Sequence, residues 1–148
     1  MMIPPASPDQ TPSLGLLLKQ THEGLRQQVE GRFISDGVDL SFSQFLLLKT
    51  LMLSGPCSAM EIALAIDQTP STVTRLLDKL EHGGYLRREA DEQDRRALQI
   101  VPTGTGREKC TQAWAVIDEV AEAVQEYVGR AEWERFIATL TRIRDYFQ

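Results

Sequence analysis

The sequence has few of the residues that build disulfide frameworks, metal centres or membrane spans. Among its 148 residues there are two cysteines, two histidines and 7% aromatic residues. Cys57 and Cys110 show no metal-ligand spacing and no disulfide framework, and free cysteines are commonly buried as small apolar residues. No run approaches the roughly 18 apolar residues of a membrane span, and the N-terminus lacks the charged and apolar regions of a signal peptide. These absences predict a reduced, soluble, cytoplasmic protein that binds no metal.

The motifs of the common enzyme classes are also missing. The sequence contains no nucleophile motif and no phosphate-binding glycine loop, so we predict no catalytic residue and no cofactor. One histidine without partners makes no site, and His22 is more typical of a boundary position on a helix. The length and the 42% of hydrophobic residues are enough for one core, which predicts a single domain.

Negative charge dominates the two ends of the chain but not its middle. The formal net charge is -5, of which residues 1–70 carry -3, residues 71–110 carry +1 and residues 111–148 carry -3. DNA responds to the charge of a local face rather than to the sum over a protein. Any basic surface must therefore come from the middle third of the sequence.

Prolines, capping residues and apolar spacing predict six helices. Residues 1–12 contain four prolines among polar residues, which predicts a flexible N-terminal arm. Apolar residues at helical spacing predict a long first helix that begins at Leu14, and the pattern stops at Asp36 and Gly37. A last helix is predicted after Gly129. The residues predicted to cap the four helices in between are Ser41, Ser58, Thr69 and Thr103.

Two short strands are predicted in the middle third. Tyr85 to Ala90 and Ala97 to Val101 are rich in strand formers and flank the polar run 91–96, which is typical of a hairpin with a longish loop. The fold class is therefore predicted to be mainly α with a small β-hairpin wing (α+β).

The helix predicted from Pro70 to His82 has two distinct faces. Val73, Leu76, Leu77 and Leu80 stand at helical spacing, so we expect this face to be buried. An arginine on the opposite face can pair with guanine in the major groove, and hydroxyls can serve bases or phosphates. A solvated amphipathic helix is the alternative for this helix taken alone. The polar residues predicted to point away from the core or to flank that face are Ser71, Thr72, Thr74, Arg75, Asp78, Lys79 and His82.

The tip of the hairpin carries Asp94, Arg95 and Arg96. Exposed arginines at a loop tip can enter a narrow minor groove or contact phosphates. We expect Asp94 to hold the Arg96 side chain by a charge-assisted hydrogen bond. An ordinary charged turn is the alternative for this motif alone. The helix and the hairpin at this spacing indicate DNA binding far more specifically than either one alone.

The sequence resembles the MarR-type transcriptional regulators. The similarity extends over residues 14–147 and is strongest from 71 to 106, and Leu40-Ser41 with Gln44-Phe45 resembles the family's second-helix start. The segments that carry the resemblance are STVTRLLDKLE at 71–81, GYLRR at 84–88, DRR at 94–96, and then Thr103 and Gly106.

The resemblance implies a homodimer that binds a pseudo-palindromic DNA operator, as a repressor. Residues 13–148 would form one MarR-like domain, with 13–37 and 103–148 as a helical dimerisation region and 38–102 as a winged helix-turn-helix lobe. In that picture Arg75 lies in the major groove with helix 70–82, Arg96 reaches the minor groove with wing 91–96, Asp94 orients Arg96, and Arg95 and Lys79 contact phosphates. The residues expected to bind DNA are Ser71, Thr72, Thr74, Arg75, Lys79, Asp94, Arg95 and Arg96.

Two features depart from the family pattern. Pro102 replaces the usual leucine before Thr103, and the glycine-rich entry Gly104 to Gly106 follows, so we expect a different bend between wing and dimer helices. No cysteine precedes Cys57, which makes peroxide sensing through a thiol near the first helix unexpected.

Two questions stay open at the level of the sequence. A winged-helix adaptor that binds protein without specific DNA binding is the alternative function, because the fold is reused in that way. The resemblance also implies a small effector, often aromatic or anionic, that releases the protein from DNA. His22, Arg26 and Trp114 fit such a site and fit an ordinary core or interface equally well, so the effector-binding residues are unknown.

Overall fold

Six helices and one two-stranded antiparallel hairpin make up the part of the chain that the computed structural model describes, residues 12–94 and 96–148. The fold class predicted from the sequence is confirmed. Arg95 and residues 1–11 of the predicted arm lie outside the described residues. The elements in chain order are α1 (Leu14–Ser35), α2 (Phe42–Ser54), α3 (Ala59–Ala65), α4 (Pro70–His82), β1 (Leu86–Ala90), β2 (Leu98–Pro102), α5 (Gly104–Val128) and α6 (Arg130–Tyr146).

The predicted capping residues begin their helices. The Ser41 hydroxyl accepts from the Gln44 backbone N–H at 3.2 Å, and the Gln44 side chain accepts from the Ser41 N–H at 2.8 Å. Ser58 and Glu61 form the same reciprocal pair at 3.2 and 2.7 Å. Each box provides partners for two backbone groups that a helix start would otherwise leave without one. The two capping boxes are therefore confirmed.

The hairpin begins one residue later in each strand than the sequence predicts. Tyr85 belongs instead to the turn that ends α4, where its N–H donates to the Leu80 carbonyl at 2.8 Å. The strands pair from Leu86 opposite Pro102 to Ala90 opposite Leu98. Pro102 ends β2, a position at which the missing N–H of a proline is tolerated.

The core lies between the second half of α1, the helices α2, α3 and α4, the hairpin and the first half of α5. Leu76, expected on the buried face of α4, is only half-buried because it lies at the edge of that face. The largest fully buried side chains are Phe33, Leu47, Leu48, Leu51, Ile62, Leu77, Leu80, Leu86 and Ile100.

A second apolar surface stays uncovered in the single chain. α6 has no buried residue at all, although it carries large apolar side chains. Within residues 12–94 and 96–148 we find no helix long and apolar enough to cross a membrane. The exposed large apolar residues of α1, α5, α6 and the C-terminus are Leu14, Leu16, Leu17, Leu18, Leu25, Ile34, Val124, Tyr127, Val128, Phe136, Ile137, Tyr146 and Phe147.

Candidate nucleic-acid interface

α4 presents the predicted polar face to solvent. Val73, Leu77 and Leu80 anchor its other face in the core. Thr69 caps the helix by accepting from the Thr72 N–H at 3.2 Å, and Pro70 occupies the first turn, where its missing N–H removes no helical bond. Thr72 is half-buried. The exposed residues of the outward face are Ser71, Thr74, Arg75, Asp78, Lys79 and His82.

Hydroxyl groups cluster at the first turn of α4. The Thr69 hydroxyl donates to the Thr72 hydroxyl at 2.9 Å and lies 3.2 Å from the Ser71 hydroxyl. The Thr74 hydroxyl donates to the Pro70 carbonyl at 2.9 Å. Because Thr72 accepts in this arrangement, its own hydroxyl proton is available to an outside acceptor. The helix start also has free backbone N–H groups that attract anions.

The cations of α4 and the hairpin fall into two groups. Within the described part of the chain, Arg75, Lys79 and Arg96 form no ion pair, whereas Arg87 pairs with Glu89. Arg88 pairs with carboxylates of α4. The three cations that pair with no carboxylate of the described residues are all residues that the sequence predicts to bind DNA.

Asp94 and Arg96 interact differently from the sequence-based expectation. The Asp94 carboxylate accepts from the Arg96 backbone N–H at 3.0 Å, and the Asp94 carbonyl accepts from the Ala97 N–H at 3.0 Å. Across the described residues there is no bond from Asp94 to the Arg96 guanidinium. An aspartate carboxylate can readily accept from the backbone N–H two residues further along the chain, and Asp94 does so in this turn. Asp94 therefore shapes the loop, and the Arg96 side chain stays exposed.

Arg88 connects the hairpin to α4, a contact that the sequence analysis missed. Its Nη2 atom donates to Asp78 Oδ1 at 2.9 Å and its Nη1 atom donates to Glu81 Oε1 at 2.7 Å. The hydrogen bond to Asp78 raises the pKa of the Arg88 guanidinium. Side chains alternate along β1, so Arg88 lies on the same side of the strand as the buried Leu86. This alternation is the feature of the sequence from which the contact could have been predicted.

The joint between the hairpin and α5 is tightly built around Thr103. Its hydroxyl donates to the Gly84 carbonyl at 2.6 Å and accepts from the Gly106 N–H at 3.0 Å, while its N–H donates to the Tyr85 carbonyl at 3.1 Å. Gly84 has φ +79°, a left-handed conformation that favours glycine. One side chain thus ties the end of α4 to the start of α5, directly after the unusual Pro102.

The residues considered for an effector site lie on two helices, His22 and Arg26 on α1 and Trp114 on α5. The ring of His22 lies 6.3 Å from that of Phe42, at the start of a row that continues through Phe45 to Trp114. Arg26 is already engaged by two carboxylates on its own helix, Glu23 at 2.7 Å and Glu30 at 2.9 Å. Lys49 Nζ lies 4.7 Å from the centre of the Trp114 ring.

Both cysteines are buried, as free cysteines commonly are. Cys57 is 6% exposed and Cys110 is fully buried, and this burial raises the pKa of each thiol. A protonated, enclosed thiol is a poor nucleophile. No group of three potential metal ligands occurs within residues 12–94 and 96–148.

Comparison of the sequence with known proteins gives a consistent family assignment. The model described as the MarR family matches residues 40–98. An HTH-type transcriptional repressor of Mycobacterium tuberculosis is 32% identical over 104 residues, which are 70% of this chain and 73% of that protein. The uncharacterized HTH-type transcriptional regulator YcgE of Bacillus subtilis is 43% identical over 49 residues, 33% of this chain, and the match spans about a third of YcgE, 32%.

Solved structures with the same fold cover nearly the whole chain. Wild-type MarR of E. coli in its apo form superposes with a TM-score of 0.81 at 17% identity, over 90% of this chain and 98% of that one. The transcriptional repressor CouR bound to a 23-mer DNA duplex gives 0.80 at 23% identity, over 89% and 92%. Bordetella bronchiseptica BpsR, described as regulated in its DNA binding by 6-hydroxynicotinic acid, gives 0.76 at 22% identity, over 90% and 94%.

Proposed function

The chain belongs to the MarR family of winged helix-turn-helix transcriptional regulators, and on this premise we propose that it is a homodimeric repressor of a pseudo-palindromic operator. Its family consists of regulators rather than enzymes. The observation that carries the proposal is the charge pattern of the lobe. Arg75, Lys79 and Arg96 are exposed without a carboxylate partner in the described part of the chain, on the two elements that a winged helix presents to DNA.

Each element has a distinct part in the proposed DNA complex. α4 enters the major groove, where Arg75 contacts a guanine edge and Lys79 contacts a phosphate. The wing, residues 91–96, reaches the minor groove, with Arg96 inserted and Asp94 holding the backbone of the loop tip. Arg95, which lies outside the described residues, is proposed to contact a phosphate. The hydroxyls proposed to bind phosphates or base edges at the first turn of α4 are those of Ser71, Thr72 and Thr74.

The proposed homodimer explains the uncovered apolar surface of the single chain. Contiguous exposed apolar surface on a protein of this size marks an interaction site. In our proposal the helical regions 13–37 and 103–148 of two copies cover each other, and the lobe 38–102 of each copy stays free for one half-site. The spacing of the two α4 helices is then set by the dimer, as operator half-sites one helical turn apart require.

The dimer is expected to sediment with twice the chain mass of 16.6 kDa. Replacing Ile137 by alanine removes an apolar side chain from the proposed interface, and we expect the dimer dissociation constant to rise about tenfold or more. Analytical ultracentrifugation measures this constant. Arg142→Ala, on the opposite face of α6, is the matched control and should leave it unchanged; equal effects of both variants would contradict the assignment of the interface.

Two finer parts of the proposal rest on the relatives. Repression is proposed because the mycobacterial relative is described as a repressor. Release from DNA by a small aromatic or anionic effector is proposed because 6-hydroxynicotinic acid is described as regulating DNA binding by BpsR. The protein is proposed to act in the cytoplasm, where the DNA lies.

Selection of duplexes from a random pool, followed by a salt titration of the enriched duplex, tests the proposed function. If a dimer contacts about four phosphates, the affinity should fall about a hundredfold between 50 and 200 mM salt, because bound counterions are released. Fluorescence anisotropy of labelled duplex gives both the affinity and the slope. Failure to enrich any sequence, or a flat salt dependence, would favour the protein-binding adaptor instead.

A further inference from the structure

We propose that Arg88 is a positioning residue for DNA binding, which keeps Asp78 and Glu81 away from DNA phosphates and holds β1 against α4. The inference rests on the proposed function, since it concerns how the same lobe meets DNA. Arg88 makes no bond to DNA in this proposal and acts through the two carboxylates.

The geometry separates Arg88 from the cations proposed to bind DNA. Its side chain is 25% exposed, against 63% for that of Asp78 and 40% for that of Glu81. Each of its two terminal nitrogens is occupied by a different carboxylate, at 2.9 and 2.7 Å. A guanidinium suits this bridge because its donors form a rigid planar fork. Arg88 is half-buried and two of its donors are engaged, whereas Arg75 and Arg96 are exposed and form no ion pair within the described part of the chain.

The net charge of α4 shows why the pairing of Asp78 and Glu81 with Arg88 matters. The helix contains two cations, Arg75 and Lys79, and two acids, Asp78 and Glu81, so that its own side chains sum to zero. Unpaired acids on a helix in the major groove would repel the phosphates on either side. Arg88 adds one positive charge on the side of the acids, and the bridge turns a neutral helix into a positive surface.

The bridge also fixes the angle between the two DNA-reading elements. β1 leads into the loop that carries Arg96, and α4 carries Arg75. Arg88 ties the strand to the second half of the helix, ten residues away in sequence from Asp78. Contacts in two grooves need both elements in one fixed arrangement, because a small misplacement of either one loses its contacts.

The test uses full-length protein and the duplex that the wild type enriches from a random pool. Arg88→Met keeps the apolar stem and removes the charge, and a second variant adds Asp78→Asn and Glu81→Gln to it. Arg87→Met, on the other face of the same strand, is the matched control. Anisotropy titrations at several salt concentrations give the affinity and its salt slope, and circular dichroism melts report folding.

Arg88→Met is expected to weaken binding about tenfold at low salt and less at high salt, because salt screens the repulsion between the unpaired acids and the phosphates, with the control within about threefold of wild type. Neutralising the two acids as well should bring the affinity back to within about threefold of wild type, and the remaining loss reflects the missing link between β1 and α4. A salt slope that stays lower by about one unit in the triple variant, which has no unpaired acid at these positions, would mean that Arg88 itself contacts phosphate and would overturn the proposal. Unchanged affinity of Arg88→Met, or no recovery in the triple variant, would overturn it too. If the wild type enriches no duplex, the proposed function itself fails, which is a different and recognisable result.

Discussion

Arg96→Ala is expected to abolish detectable binding to the enriched duplex while the protein stays folded and dimeric. The Arg96 side chain is exposed and forms no ion pair within the described part of the chain. The loop tip is held by the Asp94 carboxylate on the Arg96 backbone N–H, a bond that alanine keeps. A hydrogen bond to a charged group contributes about 1.5 to 3 kcal/mol, so two wings lose about 3 to 6 kcal/mol, or at least a hundredfold in affinity.

Arg87→Ala is the control for this variant because it removes the same charge from the same hairpin. Arg87 is 58% exposed and already pairs with Glu89. If Arg96 makes a defined contact, the two variants should differ by more than about tenfold in Kd by anisotropy at moderate salt. Unchanged affinity of Arg96→Ala would remove the wing from the proposed interface. Equal losses in both variants would mean that only the overall charge of the hairpin matters.

Gly106→Ala is expected to destabilise the protein strongly. A Cβ atom at this position would lie 1.8 Å from the carbonyl oxygen of Tyr85, and the obstacle is backbone rather than a flexible side chain. α5 would have to move away from the turn after α4, which breaks the bonds from Thr103 to Gly84 and Tyr85. We expect the free energy of unfolding to fall by about 3 kcal/mol or more, at the upper end of overpacking effects.

Gly104→Ala is the matched control, two residues earlier in the same helix. Its added Cβ would meet nothing within 4 Å. Alanine there should leave the free energy of unfolding unchanged or raise it by about 0.5 to 1 kcal/mol, since glycine is the poorer helix former. Urea unfolding followed by circular dichroism measures both variants. Similar stabilities for the two would show that the joint between hairpin and α5 adapts to a side chain.

Much of the fold could be predicted from the sequence because it depends on local chemistry. The two capping boxes at Ser41 and Ser58 form as expected, since each needs only residues three positions apart. The exposed face of α4 also follows from helical spacing, because three apolar residues at that spacing leave only one orientation. The placement of Arg75 on that face needed no tertiary information.

The differences arise where several local arrangements are possible. The spacing of Asp94 and Arg96 allows a side-chain pair or a backbone bond, and the turn adopts the backbone bond. The start of β1 depends on the backbone bonds of Tyr85. Its N–H donates to the Leu80 carbonyl, and its carbonyl accepts from the Thr103 N–H. The role of Asp94 in orienting the Arg96 guanidinium on DNA remains a prediction.

The sequence by itself determined where the helices begin and which face of α4 is polar, because hydrogen bonds and apolar spacing within a few residues decide both. Only the tertiary structure decided that Arg88 bridges Asp78 and Glu81 and that Gly106 lies against the Tyr85 carbonyl. These contacts join residues of different elements. Their distances depend on how the elements pack, which no local pattern specifies.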